Sequence, residues 1–205
     1  TGSYDSLNAA YGYDKNSIFI YGVGGRLLYW GGDQWHYREP NTIHDIFCMW
    51  GTDINNIHAV GGEGTYRFHD GKQFQRRDEL TSEEISLYGV WGFGDNDVYI
   101  VGSHGTILHF DGNEEGEWKL MESGTEEYLL GVWGSSPSNI FAVGDNATVL
   151  HYDGNKWCSM DPKTDKYLTK VRGLGPNCVY AVGDDGLVIR FDGEKWNDMS
   201  LGEGS

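Results

Sequence analysis

The stretch WGSSPSNIFAVGDNATVLHYDGNKW, which runs from Trp133 to Trp157, carries the pattern that decides the fold. Its central block, IFAVGDNATVLHYDG from Ile140, recurs four more times along the 205-residue chain without a gap. The other copies are IFIYGVGGRLLYWGG from Ile18, IHAVGGEGTYRFHDG from Ile57, VYIVGSHGTILHFDG from Val98 and VYAVGDDGLVIRFDG from Val179. Self-similarity at a regular period indicates an array of one supersecondary unit.

Three further positions recur with each block. An anchor residue followed by Gly precedes it, and an aliphatic residue stands four positions before the anchor. An aromatic residue follows the block. The anchors are Tyr11, Trp50, Trp91, Trp133 and Arg172, the aliphatics are Leu7, Ile46, Leu87, Leu129 and Leu168, and the aromatics are Trp35, Phe74, Trp118, Trp157 and Trp196. Successive anchors are 39, 41, 42 and 39 residues apart, whereas anchor and final block Gly are always 21 positions apart, so the length changes fall in the connections.

Each unit predicts four short strands. The second, such as VYIVG from Val98, is apolar at successive positions and therefore on both faces, so both faces must be covered. Asp-Gly pairs such as Asp153-Gly154 predict two-residue hairpin turns in which both residues have positive φ. A four-stranded meander with two apolar faces has to stack on its neighbours, and a ring of such sheets leaves only short edges.

The sequence therefore predicts an all-β, five-bladed β-propeller with four-stranded antiparallel blades of about 40 residues. We expect a single domain over residues 1–205, with repeat units at approximately 7–45, 46–86, 87–128, 129–167 and 168–201. A closing strand from residues 4–6 or from the tail after Leu201 is left open.

The stretch from Trp133 to Trp157 resembles the repeats of secreted or surface-attached bacterial β-propeller proteins, and the resemblance covers Leu7 to about Leu201. It implies the propeller fold and an extracellular, cell-surface or periplasmic location, but no particular activity. The Asp-Gly-x-x-Trp piece is also similar to the Asp-box hairpins of sialidase-type propellers. It departs from them because Asp and Gly are adjacent, so no sialidase activity is implied.

The formal charge of −16 makes nucleic acid and anionic membrane surfaces poor partners, and no apolar run approaches the length of a membrane span. Cys48, Cys158 and Cys178 stand at non-equivalent repeat positions, which argues against a disulfide framework.

The anchors Tyr11, Trp50, Trp91, Trp133 and Arg172 are the candidate ligand-binding residues. Aromatic faces stack on sugar rings, and five equivalent sites would give a multivalent glycan binder. Packing between blades is the alternative use of such large side chains. Arg172 breaks the repeat rule, which favours a dedicated role for it.

No catalytic residue is predicted, because nucleophile and phosphate-loop motifs are missing from the sequence. His109, His151 and Arg190 share one repeat position that Tyr29 and Phe68 occupy elsewhere, so no metal site is predicted there. The acidic turns at residues 94–97 and 183–186 offer oxygen ligands for calcium, but the preferred explanation is that Asp and Asn favour turn positions for backbone reasons. We therefore expect no cofactor, with calcium as the weaker alternative.

These observations favour a non-catalytic binding module that recognises a protein partner or a glycan through a rim or through clefts between blades. A protein-binding rim is expected where connections differ between units, as residues 75–86 and 121–128 do. One alternative is a small hydrolase or lyase with acid and base groups at the central channel. Another is a structural spacer domain of a larger surface protein. The oligomeric state is left open.

Overall fold

The structure, a computed structural model, describes residues 6–77, 80–112 and 117–200. Across these ranges the regular structure consists of five four-stranded antiparallel sheets and short 3₁₀ turns. Each sheet is built from four strands that are consecutive in the chain and paired in chain order. The chain is thus an all-β, five-bladed β-propeller with one contiguous repeat unit per blade, which confirms the predicted fold.

The strands lie where the repeat places them. Blade 1 contains β1 (Leu7–Asp14), β2 (Ser17–Gly22), β3 (Leu27–Trp30) and β4 (Trp35–Tyr37). Blade 2 contains β5 (Ile46–Asp53), β6 (Asn56–Gly61), β7 (Tyr66–His69) and β8 (Phe74–Arg76). Blade 3 contains β9 (Leu87–Gly94), β10 (Asp97–Gly102), β11 (Ile107–Phe110) and β12 (Trp118–Leu120). Blade 4 contains β13 (Leu129–Ser136), β14 (Asn139–Gly144), β15 (Val149–Tyr152) and β16 (Trp157–Ser159). Blade 5 contains β17 (Leu168–Gly175), β18 (Cys178–Gly183), β19 (Val188–Phe191) and β20 (Trp196–Asp198).

The chain divides into two compact units, one up to Val90 and one from Trp91 onwards. The single domain expected for residues 1–205 stays a prediction. Of the two candidate closing segments, residues 4 and 5 and the tail from Leu201 lie outside the described residues. Ser6 is described, and its carbonyl accepts a hydrogen bond from the Val23 N–H at 3.0 Å. Among the described residues no helix is long and apolar enough to cross a bilayer.

The Asp-Gly turns differ from the prediction. In blade 4 the third strand ends at Tyr152 and the fourth begins at Trp157, so four residues join them. Gly154 has φ 95°, but Asp153 has no positive φ. Asp153 Oδ1 instead accepts hydrogen bonds from the N–H groups of Asn155 and Lys156, both at 2.9 Å. The prediction of a two-residue turn was therefore wrong. The Asp153 side chain accepts the hydrogen bonds that hold the turn, so the Asp backbone does not need a positive φ.

Each sheet has two faces that we name by their position in the chain. Within a compact unit, the forward face of one blade packs on the backward face of the next blade along the chain. In the first compact unit, the forward face of blade 1 and the backward face of blade 2 form one apolar cluster. It contains Phe19, Tyr21 and Leu27 from blade 1, and Ile46, Met49, Ile57, Ala59 and Phe74 from blade 2.

The second compact unit repeats this packing twice. Tyr99, Val101 and Ile107 on the forward face of blade 3 cluster with Leu129, Val132, Ile140, Ala142, Leu150 and Trp157 on the backward face of blade 4. Trp133, Phe141, Val143 and Val149 on the forward face of blade 4 cluster with Leu168, Val171, Val179, Ala181, Ile189, Phe191 and Trp196 of blade 5. In blades 2, 4 and 5 the aliphatic and the aromatic that flank the block thus complete the backward face.

A glycine ends the second strand of every blade, and in blades 1, 2, 4 and 5 a steric reason is evident. A Cβ at Gly144 would lie 1.8 Å from the Tyr128 carbonyl oxygen, and one at Gly183 would lie 1.8 Å from the Tyr167 oxygen. The first strand of the same blade begins directly after each of those carbonyls. The backbones approach so closely that no side chain fits between them.

Candidate functional site

One site candidate is a cavity of about 800 Å³ in the first compact unit. It lies where the connection between blades 1 and 2 meets the turn between the second and third strands of blade 2 and the loop that follows that blade. Its lining residues are Glu39, Asn41, Thr42, Ile43, His44, Glu63, Gly64, Arg67, Arg76, Thr81 and Glu83. The cavity therefore combines carboxylates, basic groups and one aliphatic side chain.

Arg67 lines this cavity and binds the backbone of two of the segments around it. The residue is buried, and its Nε donates to the Asn41 carbonyl at 2.7 Å while its Nη1 donates to the Tyr66 carbonyl at 2.9 Å. Asn41 has φ 57°, a left-handed conformation that Asn tolerates better than most residues. A buried guanidinium needs such acceptors, since its charge cannot be neutralised by losing a proton. Arg67 thus ties the connection from blade 1 to the third strand of blade 2.

Gly64 closes another side of the cavity. Its N–H donates to the Ile85 carbonyl at 2.7 Å, and its φ is 68°. A Cβ there would lie 2.9 Å from the Ser82 carbonyl oxygen. The loop after blade 2 is therefore held against the turn by a contact that a larger residue would push apart.

The mouth of the cavity is exposed and carries charge. Ile43 is 81% exposed, an unusual fraction for an isoleucine, and Glu39 and Glu83 are exposed beside it. His44 Nδ1 lies 3.4 Å from Glu63 Oε2. Thr81 Oγ1 is buried and has no hydrogen-bond partner among the described residues. The mouth of the cavity thus offers a ligand an apolar contact and carboxylates.

A second cavity, of about 430 Å³, occupies the equivalent place on blade 4. Its lining contains no charged side chain: Ser123, Gly124, Thr125, Asn146, Ala147, Thr148, Leu150, Trp157, Ser159, Met160, Pro162 and Thr164. Leu150 stands where blade 2 has Arg67, and Ser159 where it has Arg76. The same architectural position therefore differs in chemistry from blade to blade.

The anchors in the first compact unit make contacts with neighbouring residues. Tyr11 accepts a hydrogen bond from the Gly51 N–H at 2.9 Å and donates to the Gly51 carbonyl. Burial is the main cause that raises the pKa of the Tyr11 hydroxyl. The Trp50 ring centroid lies 6.0 Å from that of His58. Tyr11 thus links blade 1 to the residue beside the anchor of blade 2.

The structure brings the other three anchors together in the second compact unit. The ring centroids of Trp91 and Trp133 are 6.1 Å apart, and Arg172 Cζ lies 5.3 Å from the Trp91 centroid. Arg172 Nη1 donates to the Val132 carbonyl at 3.1 Å, and Trp133 is buried. A Cβ at Gly173 would lie 2.4 Å from the Trp133 ring. These contacts stabilise the stacking of blades, and the ligand-binding role of the five anchors stays a prediction.

The histidines of blades 3 and 4 connect neighbouring strands. His109 Nε2 lies 2.8 Å from Asp97 Oδ1, and His151 Nε2 lies 2.7 Å from Asn139 Oδ1. In each case the partner begins the second strand of the same blade. Over the ranges that the structure describes, no three His, Cys, Asp or Glu residues are grouped as a metal would require.

Sequence reasoning missed the residues of the larger cavity, although one signal was present. Arg67 occupies a block position at which the other four units have Leu28, Leu108, Leu150 and Ile189. A charged residue at a position that is otherwise aliphatic indicates a local function or a special contact. Ile43 gave a weaker signal, as an isolated aliphatic in the polar stretch EPNTIHD.

Comparison with known proteins supports the fold. No protein-family model matches the chain, and no curated protein matches it. Among solved structures, the chain is similar to YCF48 bound to D1 peptide, with 18% identity and a TM-score of 0.72 over 91% of this chain. It spans 65% of that YCF48 chain.

Two further structures are similar over most of the chain. One is the WD40 β-propeller domain of Doa1, with 12% identity, a TM-score of 0.77 and coverage of 100% of this chain and 70% of that one. The other is Sqt1 from Chaetomium thermophilum, with 14% identity, a TM-score of 0.69 and coverage of 88% and 54%. At these identities the similarity shows a β-propeller fold and not a shared function.

Proposed function

We propose that this chain is a non-catalytic module that binds a segment of a partner protein at the Arg67 cavity, the 800 Å³ cavity described above. The observation that carries the proposal is that connections between blades line the cavity, and that these connections differ between repeats. Thr81 and Glu83 come from the stretch 75–86, which the sequence marked as divergent. Binding residues are commonly placed on loops that a rigid scaffold positions.

The chemistry of the cavity favours an extended segment with a basic and an apolar side chain. Exposed Ile43 provides an apolar contact, and Glu39, Glu63 and Glu83 provide carboxylates for Lys or Arg. The Arg67 guanidinium is already directed at backbone carbonyls. A net charge of −16 attracts a basic segment at long range. The YCF48 structure, which contains a bound D1 peptide, offers a precedent for peptide binding on this fold.

A selection experiment tests the proposal. A random-peptide phage library is panned on the immobilised chain, and a synthetic version of an enriched peptide is titrated by fluorescence anisotropy. We expect enriched sequences that combine Lys or Arg with an aliphatic or aromatic residue. Ile43→Ser should weaken binding at least about tenfold, because it removes the apolar contact without adding a carboxylate that would attract a basic peptide.

Leu120→Ser is the matched control, since Leu120 is also an exposed aliphatic and is not among the residues that line the cavity. It should leave the peptide affinity unchanged. Peptides that bind equally well to the Ile43→Ser variant would contradict the proposed site. Glycan recognition through the five anchors, and a location outside the cytoplasm, remain proposals that rest on the repeat pattern alone.

A further inference from the structure

His44 and Glu63 face each other at the mouth of the Arg67 cavity. His44 Nδ1 lies 3.4 Å from Glu63 Oε2, and the two side chains are 34% and 66% exposed. Both residues line the cavity, and both belong to the first compact unit. An imidazole ordinarily gains its positive charge as pH falls through the neutral range. The pair therefore places a group of pH-dependent charge beside a carboxylate of the proposed peptide site.

Backbone hydrogen bonds hold the segments of this pair together. His44 lies on the connection between blades 1 and 2, and Glu63 lies on the turn between β6 and β7. The N–H of Gly62, directly before Glu63, donates to the carbonyl of Asp45 at 3.1 Å. Asp45 directly follows His44, whose own N–H donates to Thr42 Oγ1 at 3.1 Å. Contacts within the first compact unit thus bring the two side chains together.

Charged side chains from each segment around the cavity set the charge balance near His44. They are Glu39 and Asp45 on the same connection, Glu63 on the turn, Arg67 on β7, Arg76 on β8 and Glu83 on the following loop. Arg67 donates to backbone carbonyls, and Asp45 Oδ1 accepts a hydrogen bond from the Gly24 N–H at 2.8 Å. Carboxylates outnumber guanidinium groups in this set, so the mouth attracts a basic side chain while His44 is neutral.

We propose that protonation of His44 weakens the binding of a basic segment at the Arg67 cavity. This response rests on the peptide-binding function proposed above. While His44 is neutral, the Glu63 carboxylate accepts a Lys or Arg side chain of the segment. Once His44 is protonated, the imidazolium pairs with Glu63 and repels the incoming cation. The affinity therefore falls as pH decreases, and a bound basic segment in turn expels the proton from His44.

Fluorescence anisotropy of a selected peptide at about pH 7.5, 6.5 and 5.5 and at constant ionic strength tests the proposal. The peptide carries Arg and aliphatic residues but no His, Asp or Glu, so its own charge stays constant. We expect the affinity of the unmodified chain to fall by about three- to tenfold across this range, since solvent screens a partly exposed pair. His44→Gln should lose less than about twofold.

His36→Gln is the matched control. His36 Nε2 lies 3.6 Å from Asp33 Oδ1 in the same compact unit, and neither residue lines the cavity. The substitution removes the same change of charge from the chain and should retain the full pH response. Glu63→Gln tests the partner, and it should bind the peptide more weakly than the unmodified chain at about pH 7.5, because the cation has lost its carboxylate. Circular dichroism identifies any variant that fails to fold.

Isothermal titration calorimetry provides a measurement that needs no variant. At about pH 6.5, peptide binding to the unmodified chain should release protons to the buffer. The apparent binding enthalpy should therefore differ between buffers of low and high ionisation enthalpy, such as PIPES and imidazole. His44→Gln should reduce this difference.

The possible failures are distinguishable. A peptide whose binding is sensitive to Ile43→Ser but independent of pH would overturn the His44 response and leave the peptide site in place. An equal pH response in the unmodified chain and in folded His44→Gln would do the same, as would unchanged affinity in Glu63→Gln. If no peptide is found whose binding depends on Ile43, the peptide site is overturned and the His44 response with it.

Discussion

Asp192 shows how single side chains define the hairpins of this protein. Its Oδ1 accepts hydrogen bonds from the N–H groups of Glu194 and Lys195, both at 3.0 Å, and its Oδ2 accepts one from Asn197 Nδ2 at 2.8 Å. These bonds, led by the one from Lys195, lower the pKa of the carboxyl to about 2. Asp70 has a similar set of bonds, and its pKa is also lowered to about 2. Donors that favour the ionised form thus stabilise the turn only while Asp is charged.

The first prediction concerns acid sensitivity. The unfolded chain has an Asp pKa near 3.9 and the folded chain one of about 2 at Asp192, so the unfolded state binds the proton first as pH falls. The stabilisation is complete above about pH 4 and is lost as pH falls towards 2. Asp192→Ala should therefore lower the Tm at pH 7, and the difference from the unmodified chain should narrow below about pH 4.

Thermal unfolding followed by circular dichroism from neutral pH downwards checks this expectation. Glu194→Gln is the control, because it removes one negative charge from the same turn without removing the Asp192 acceptor. An unchanged Tm difference between the unmodified chain and Asp192→Ala across this pH range would contradict the assignment.

At the scale of the strand, the glycines that end the second strands determine how closely two strands of a blade meet. Gly61, Gly144 and Gly183 each leave less than 2 Å between an added Cβ and a backbone oxygen. Backbone atoms cannot move aside as the end of a flexible side chain can. The repeated Gly is thus a packing requirement of the blade and not only a turn signal.

Gly183→Ala should therefore destabilise the protein by about 1–3 kcal/mol, the usual cost of overpacking. Gly175→Ala is the matched control, since it lies in the same blade and nothing approaches an added Cβ there within 4 Å. Urea unfolding monitored by tryptophan fluorescence gives both free energies of unfolding. Equal stability of the two variants would show that the backbones can separate at no cost.

At the scale of the whole molecule, the charge of −16 is the dominant property. It produces a negative potential that concentrates cations and basic segments near the surface. Binding of a basic peptide at the Arg67 cavity should therefore begin with electrostatic attraction. At an ionic strength of 0.1 M, salt largely screens this attraction beyond a distance of about 10 Å.

We expect the association rate of a selected basic peptide to fall several-fold between about 50 and 300 mM NaCl, while its dissociation rate changes less. Stopped-flow fluorescence measures both rates. A peptide with Lys and Arg replaced by Gln is the control and should show little salt dependence. A salt-independent association rate for the basic peptide would argue against long-range attraction.

Much of the fold followed from local pattern. The repeated block, the apolar second strand and the flanking residues Leu129 and Trp157 predicted the strands and the blade count, because side-chain alternation and steric limits act within a few residues. The Asp-Gly turns differed from the predicted two-residue turns because the Asp carboxylate accepts hydrogen bonds from the turn backbone. An Asp-Gly pair is compatible with both kinds of turn, so the sequence pattern does not distinguish them.

The amino-acid sequence alone was sufficient to establish that five similar antiparallel sheets form and which residues of each sheet are apolar. Only the tertiary structure showed which of those apolar residues pack on one another across two blades, as Phe141 and Trp196 do. It also brought Ile43, Arg67 and Thr81 to one cavity from three separate segments. The reason is physical: strand formation depends on neighbouring residues, whereas burial and cavities depend on how distant segments pack.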